Sequence, residues 1–201
     1  MIASDVYSVI MTENANTVNI AQRGYHHGDL RAALVAEGLR LLALRDAESL
    51  SLREIARNVG VSATAVYRHF PDKGALMAAL AVEGLKQLGT VQAAASQAAG
   101  GGTPGFAATG RAYVRFALDN PALFRLIFAS PALGIDCARE PIDTSLPGEL
   151  LLANAVRLAA EDGGQAGVRA VRAWALVHGL AMLMLEGQIP VDLDLVDRAI
   201  G

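Results

Sequence analysis

The sequence predicts an all-α protein, and three observations carry that expectation. The composition is 53% hydrophobic but only 5% aromatic, which implies an aliphatic core rich in the strong helix formers alanine and leucine. Runs of β-branched residues are short. Apolar residues recur at intervals of three, four and seven from Asp29 onward, the spacing of a helix with one buried face. The elements resolve into a small N-terminal three-helix domain with a helix-turn-helix and a larger C-terminal helical bundle.

Residues 1–22 have no sustained periodicity and read as a flexible tail. Leu30, Leu34 and Leu41, with Val35, Leu39 and Leu42, then mark a first helix expected to end near Arg45. Ser51 followed by Glu54 is a capping-box signature, and the helix it opens places Leu52, Ile55, Ala56 and Val59 on one face. Gly60 stops that helix, since glycine takes the left-handed conformation that a sharp reversal needs. Ser62 caps a short third helix through about Phe70, with Ala63, Val66 and Phe70 as its inner face. Pro71-Asp72 ends it and caps a fourth helix from Lys73 towards Gln97, about 25 residues and about 37 Å long. The run "AGGGTPG" (99–105) breaks the chain. Further helices are expected at 106–119, 121–129, 148–161, 167–188 and 192–200, and the three prolines of 130–147 predict a loop with one short helical turn. Residues 23–73 thus form one candidate domain and 74–201 the other.

A net charge of −3 argues against a protein that coats nucleic acid non-specifically. Its distribution is more informative. Residues 23–73 hold eight basic and six acidic residues and three of the four histidines, whereas 74–201 hold nine basic and twelve acidic residues. A surface that meets an anion is therefore expected in the first third. One cysteine, Cys137, excludes an internal disulfide framework and suits a reducing compartment. The first residues lack the basic start of an export signal, and the longest apolar run, 173–185, is about seven residues short of a bilayer span. These features predict a cytoplasmic protein with no membrane partner.

Two helices joined at a glycine, the second short and polar outwards, describe a helix-turn-helix. Ala56 is small where the second helix must approach the first, and Val61 and Val66 supply buried contacts. At 100° per residue, Thr64, Ala65 and Arg68 lie opposite the Val66/Phe70 face, with Tyr67 and His69 flanking them. This third helix is shaped to enter a major groove.

Residues 24–80, with "GVSATAVYRHF" and "DKGAL", resemble the DNA-binding domain of the TetR/AcrR family of transcriptional repressors. The segment "WALVHG" (174–179) also resembles a Trp-His-Gly signature found in one branch of that family's ligand-binding domains. The resemblance implies that Ser51 meets a phosphate and that Arg53 reaches a base edge or the phosphate beside it. It places Ser62 at the start of the recognition helix, turns Ala63, Thr64, Ala65 and Arg68 to bases, and has Tyr67 and His69 donate to phosphates. Lys73, with the N-terminus of the fourth helix, would grip the backbone, and Arg23 and Tyr25 lie where an N-terminal arm approaches the adjacent groove. Ala63 and Ala65 offer only methyl contacts, so half-site spacing and DNA shape are expected to carry much of the specificity. A homodimer on a double-stranded operator, released by a small-molecule effector and needing no cofactor, follows from the same resemblance.

Other candidates are weaker. In "HHGD", His26, His27 and Asp29 are adjacent side chains that point apart, which disfavours a metal site. Cys137 has only Arg139 nearby to activate it. The C-terminal two-thirds has no phosphate loop, metal-spaced cluster or nucleophile elbow, so an enzyme is not expected. Tyr113, Phe116, Phe124, Phe128, Trp174, His178 and Met182 on amphipathic helices are candidates to line an apolar effector pocket with one polar handle. Two rival readings are a helical small-molecule-binding protein whose DNA binding has lapsed, and an enzyme pairing His178 with Glu186.

Overall fold

The computed structural model describes residues 30–129 and 166–201. Eight α-helices and one 3-10 turn make up the described residues, and no strand occurs among them. The expected tail at 1–22, Arg23, Tyr25, the "HHGD" segment, the 130–147 loop with Cys137 and the helix at 148–161 lie outside the described residues.

Helix α1 spans Leu30–Leu42 and ends three residues earlier than the sequence suggests, because the chain turns into a 3-10 element at Ala47–Ser49. Helix α2 (Leu52–Val59) begins at Ser51 without the expected capping box: the Ser51 side chain makes no capping bond. Glu54 is drawn instead into an ion pair with Arg45, and a charged partner outcompetes a backbone N–H. Gly60 does close α2 in the left-handed region, at φ 81° and ψ 29°. The N–H of Gly60 reaches the carbonyl of Arg57 and that of Val61 the carbonyl of Ala56, the paired bonds of a Schellman turn.

Helix α3 (Ala63–His69) starts with the Ser62 hydroxyl accepting the N–H of Ala65 at 3.2 Å. Asp72 does the same for Ala75 at 2.8 Å and opens α4 (Lys73–Ala98). Together α1 to α4 bury Leu34, Ile55, Val66, Phe70, Leu76 and Leu80 almost completely. Ala63 is exposed and does not join Val66 and Phe70 on the inner face, because the first turn of α3 stands clear of α2. The guanidinium of Arg31 lies 5.2 Å from the centre of the Phe70 ring.

Helix α5 (Gly102–Asp119) begins inside the glycine run, four residues earlier than expected, since Pro104 sits in a first turn where a missing N–H costs nothing. It is followed by α6 (Pro121–Ala129), α7 (Ala166–Leu185) and α8 (Leu193–Ile200). α5 is the centre of this part, packed against α4, α6, α7 and α8. Arg111 ties it to α8 through Asp197 at 2.7 Å. Arg125 of α6 donates to the Leu185 carbonyl and to Glu186, closing the C-terminal end of α7. By length and composition alone α7 could span a bilayer over Val168–Leu185, longer than the apolar run read from sequence.

Gly84 sets how closely α4 approaches α6. A methyl group there would sit 2.6 Å from Leu123 Cδ1, whereas one at Gly89 would have nothing within 4 Å. Gly84→Ala is therefore expected to lower stability by about 1–3 kcal/mol through overpacking, and Gly89→Ala to raise it by about 0.5–1 kcal/mol through helix propensity. Urea unfolding of the two variants beside the parent checks both signs.

Candidate functional site

The first candidate surface is built by α2, its turn and α3. Ser62, Ala63, Thr64, Tyr67, Arg68 and His69 are exposed on α3 and its start, and Ser51 and Arg53 are exposed at the start of α2. The expected outward face thus stands together, with two departures. Ala65 is half-buried, at the edge of the face that carries the buried Val66. Lys73 is half-buried too, and its ammonium donates to the carbonyl of Glu48, tying the start of α4 to the 3-10 turn.

Ion pairing sorts the cations of this region. Arg40 holds Glu37 through two bonds of 2.7 Å, and Asn58 of α2 donates to the same carboxylate at 2.7 Å, joining α1 to α2. The Arg40 bonds hold the Glu37 carboxyl below its ordinary pKa. Arg45 is taken by Glu54. Arg53, Arg57 and Arg68 have no acidic partner among the described residues. Arg57 was not singled out by the sequence reading, although its spacing of four from Arg53 places both on one face of α2.

The second candidate is a cavity of about 490 Å³ between α4, α5, α7 and α8. Of the candidate lining residues, Tyr113 and Trp174 lie on its wall. Phe116, Phe124, Phe128, His178 and Met182 do not. Phe116 and Phe124 are buried core, and Phe124, Phe128 and His178 form an aromatic layer between α5, α6 and α7 that adjoins the cavity through Tyr113 and Trp174. Phe128 and His178 meet edge to face at 4.7 Å, and Tyr113 and Phe124 at 5.4 Å. The rest of the wall, including Gln92 and Ser96 of α4 and Phe106 of α5, was missed. Its signal was present as small residues, Ala93 and Ser96 on α4, in a segment that reads as merely alanine-rich, and Ala107 and Gly110 on α5.

Tyr113 joins cavity and aromatic layer. Its hydroxyl accepts from the Trp174 indole N–H at 3.1 Å and lies 2.8 Å from His178 Nδ1. Burial raises the Tyr113 pKa, so the phenol keeps its proton and directs it to a neutral His178. Burial also lowers the His178 pKa below its ordinary 6.5. His178 and Glu186, the pair of the enzyme reading, are not brought together: Glu186 engages Arg125 and His178 engages Tyr113.

A helix-turn-helix unit whose Arg53, Arg57 and Arg68 have no acidic partner among the described residues, continued by one long helix into a cavity-bearing bundle, is the architecture of a helix-turn-helix DNA-binding regulator. Residues 34–80 match the bacterial regulatory proteins of the tetR family, and residues 106–200 match the tetracyclin repressor-like C-terminal domain. The chain belongs to the TetR family, whose members are transcriptional regulators rather than enzymes. It is 33% identical over 120 residues to an HTH-type transcriptional regulator of Mycobacterium tuberculosis, a match that takes in 59% of this chain and 51% of that one. The chain thus spans about half the length of the curated relatives it matches. A solved protein of unknown function from Rhodococcus sp. RHA1 is 32% identical, with a TM-score of 0.72 over 89% of this chain and 94% of that one. A tetR-family transcriptional regulator from Streptomyces coelicolor shares the fold at 21% identity, with a TM-score of 0.59 over 85% and 76% of the two chains.

The depressed His178 pKa has a measurable consequence. Below pH 6.5 the unfolded chain binds a proton that the folded one resists, so the stability this residue contributes at neutral pH is lost as pH falls towards the folded value. The thermal midpoint is expected to drop between pH 7 and pH 5, and to drop less in His178→Gln, which removes the titration while offering Tyr113 an acceptor. An equal drop in both proteins would place the proton uptake elsewhere.

Proposed function

We propose that the protein is a homodimeric, cytoplasmic DNA-binding repressor released from its operator by a small-molecule effector. The observation that carries this reading is the exposed α3 face: Thr64, Tyr67, Arg68 and His69 stand free in solvent beside an unpaired Arg53. Arg68 and Arg53 are assigned to base edges, with Thr64 beside them and methyl contacts from Ala63. Ser51, Tyr67, His69 and Arg57 are assigned to phosphates. Ser62 fixes the start of α3, Ala65 turns only one edge outward, and Lys73 shares its ammonium between the Glu48 carbonyl and the DNA backbone.

The dimer is supported by α7. Val168, Val171, Leu176 and Leu183 are exposed on a helix with few charges, and Gly179 leaves open space beside it. An apolar stripe of this kind is best covered by its own copy, and two short recognition helices then address two half-sites. Effector coupling is supported by α4, which packs against α1 at Gly38 near one end and walls the cavity with Gln92 and Ser96 near the other. An effector that favours one position of α4 shifts the spacing of the recognition helices by its differential affinity for the two states. Trp174 and His178, one helical turn apart on Tyr113, are the support for a Trp-His-Gly type of effector domain.

Fluorescence anisotropy on the DNA flanking its own gene tests the reading. A scrambled site is expected to bind about 10³-fold more weakly, and log K against log salt to fall with a slope near −6, on the order of seven phosphates neutralised. Arg53→Ala is expected to cost about 1–3 kcal/mol on the cognate site and to relax one base position, while Ala63→Ser changes little. Equal weak binding to both DNAs would favour a ligand-binding protein whose DNA binding has lapsed. Leu183→Glu is expected to convert a dimer to monomers in sedimentation equilibrium and to abolish binding to the two-half-site DNA.

A further inference from the structure

The polar groups of the cavity are distributed unevenly. Tyr113 spends its hydroxyl on Trp174 and His178, and Thr109 gives its own to the Phe106 carbonyl at 2.6 Å. Gln92 donates one N–H to the Thr109 carbonyl at 3.3 Å, which leaves its amide oxygen and its second N–H, and the hydroxyl of Ser96 has no partner among the described residues. Both belong to α4. Apart from Arg169, the α7 and α8 side is apolar, with Ala170, Ala173, Trp174, Val177 and Ile200, and Phe106 lines the cavity from α5.

Charge narrows the occupant further. Among the described residues no carboxylate side chain lines the cavity and the one charged side chain that does is Arg169, so a cation would be desolvated beside a guanidinium. Arg169 is itself already engaged, so an anion finds no guanidinium reserved for it. The volume of about 490 Å³ lies within the range of cavities that enclose drug-sized ligands.

We propose that this cavity takes an uncharged, ring-bearing apolar molecule that presents one carbonyl or hydroxyl edge to Gln92 and Ser96. The proposal rests on the reading of the C-terminal helices as an effector domain. Ring faces meet Trp174 and Phe106, and the polar edge meets the one helix that continues into the helix-turn-helix.

Trp174 is the sole tryptophan and lines the cavity, so it serves as an energy donor to pyrene probes when excited selectively. Four probes share one ring system: 1-pyrenecarboxamide, 1-pyrenecarboxylate, 1-pyrenemethylammonium and pyrene itself. The full chain is expected to bind the carboxamide saturably at one molecule per protomer. Its Kd should be at least about tenfold below that of the carboxylate and about a hundredfold below that of the ammonium, since each buried unpaired charge is costly. Gln92→Leu should erase the preference for the carboxamide over pyrene while leaving pyrene binding in place. Ala173→Phe and Ala107→Leu, which fill the cavity from different walls, should each lose saturable transfer, with circular-dichroism melts reporting that the fold is intact.

Tighter or equal binding of either charged probe overturns the proposal. So does saturable transfer that survives in folded cavity-filled variants, or no saturable transfer from any probe. Operator affinity without probe is measured in parallel: its absence alongside selective carboxamide binding would remove the repressor reading and leave the cavity assignment standing, whereas operator binding with no carboxamide preference would do the reverse.

Discussion

Everything in the described fold depends on α4 being one continuous helix that serves two cores. Its first turns bury Leu76 and Leu80 among the helices of the DNA-reading unit, and Leu85 and Leu88 belong to the bundle further along. A helix of 26 residues is about 39 Å long, enough to reach across both. Backbone hydrogen bonds along its length make it stiff, so a displacement at one end is carried to the other rather than absorbed. From Arg31 to Gly201 the chain accordingly forms one compact unit.

Close approach is achieved where side chains are absent. Gly38 lets α1 meet Leu80 of α4, Gly84 lets α4 meet Leu123 and Ile127 of α6, and Gly105 brings α5 onto Ser96. The same economy leaves the cavity: where small residues face one another on α4, α5 and α7 without interdigitating, space remains. Packing and cavity are therefore two outcomes of one choice of residue size. The aromatic layer next to it is filled, and its polar members are satisfied by one another through Tyr113.

In the helix-turn-helix, electrostatics divides labour among similar residues. Arg40 and Arg45 are consumed by Glu37 and Glu54, whereas Arg53, Arg57 and Arg68 are exposed and form no ion pair among the described residues. Nothing in the composition distinguishes the two groups, and the net charge hides them altogether.

Much was legible in the sequence because it depends on local physics. Helix periodicity located α1 to α4, Gly60 had to be the turn because its backbone lies at positive φ, and Ser62 and Asp72 cap the helices that follow them. The exposed face of α3 follows from helical geometry alone. What the sequence could not decide was competition between partners distant along the chain. Glu54 leaves its capping role for Arg45, Lys73 turns to the Glu48 carbonyl, and five of the seven aromatic, histidine and methionine candidates lie off the cavity, which small residues help to wall instead. Those outcomes depend on which helix faces meet and at what distance, quantities that exist only once the helices have packed.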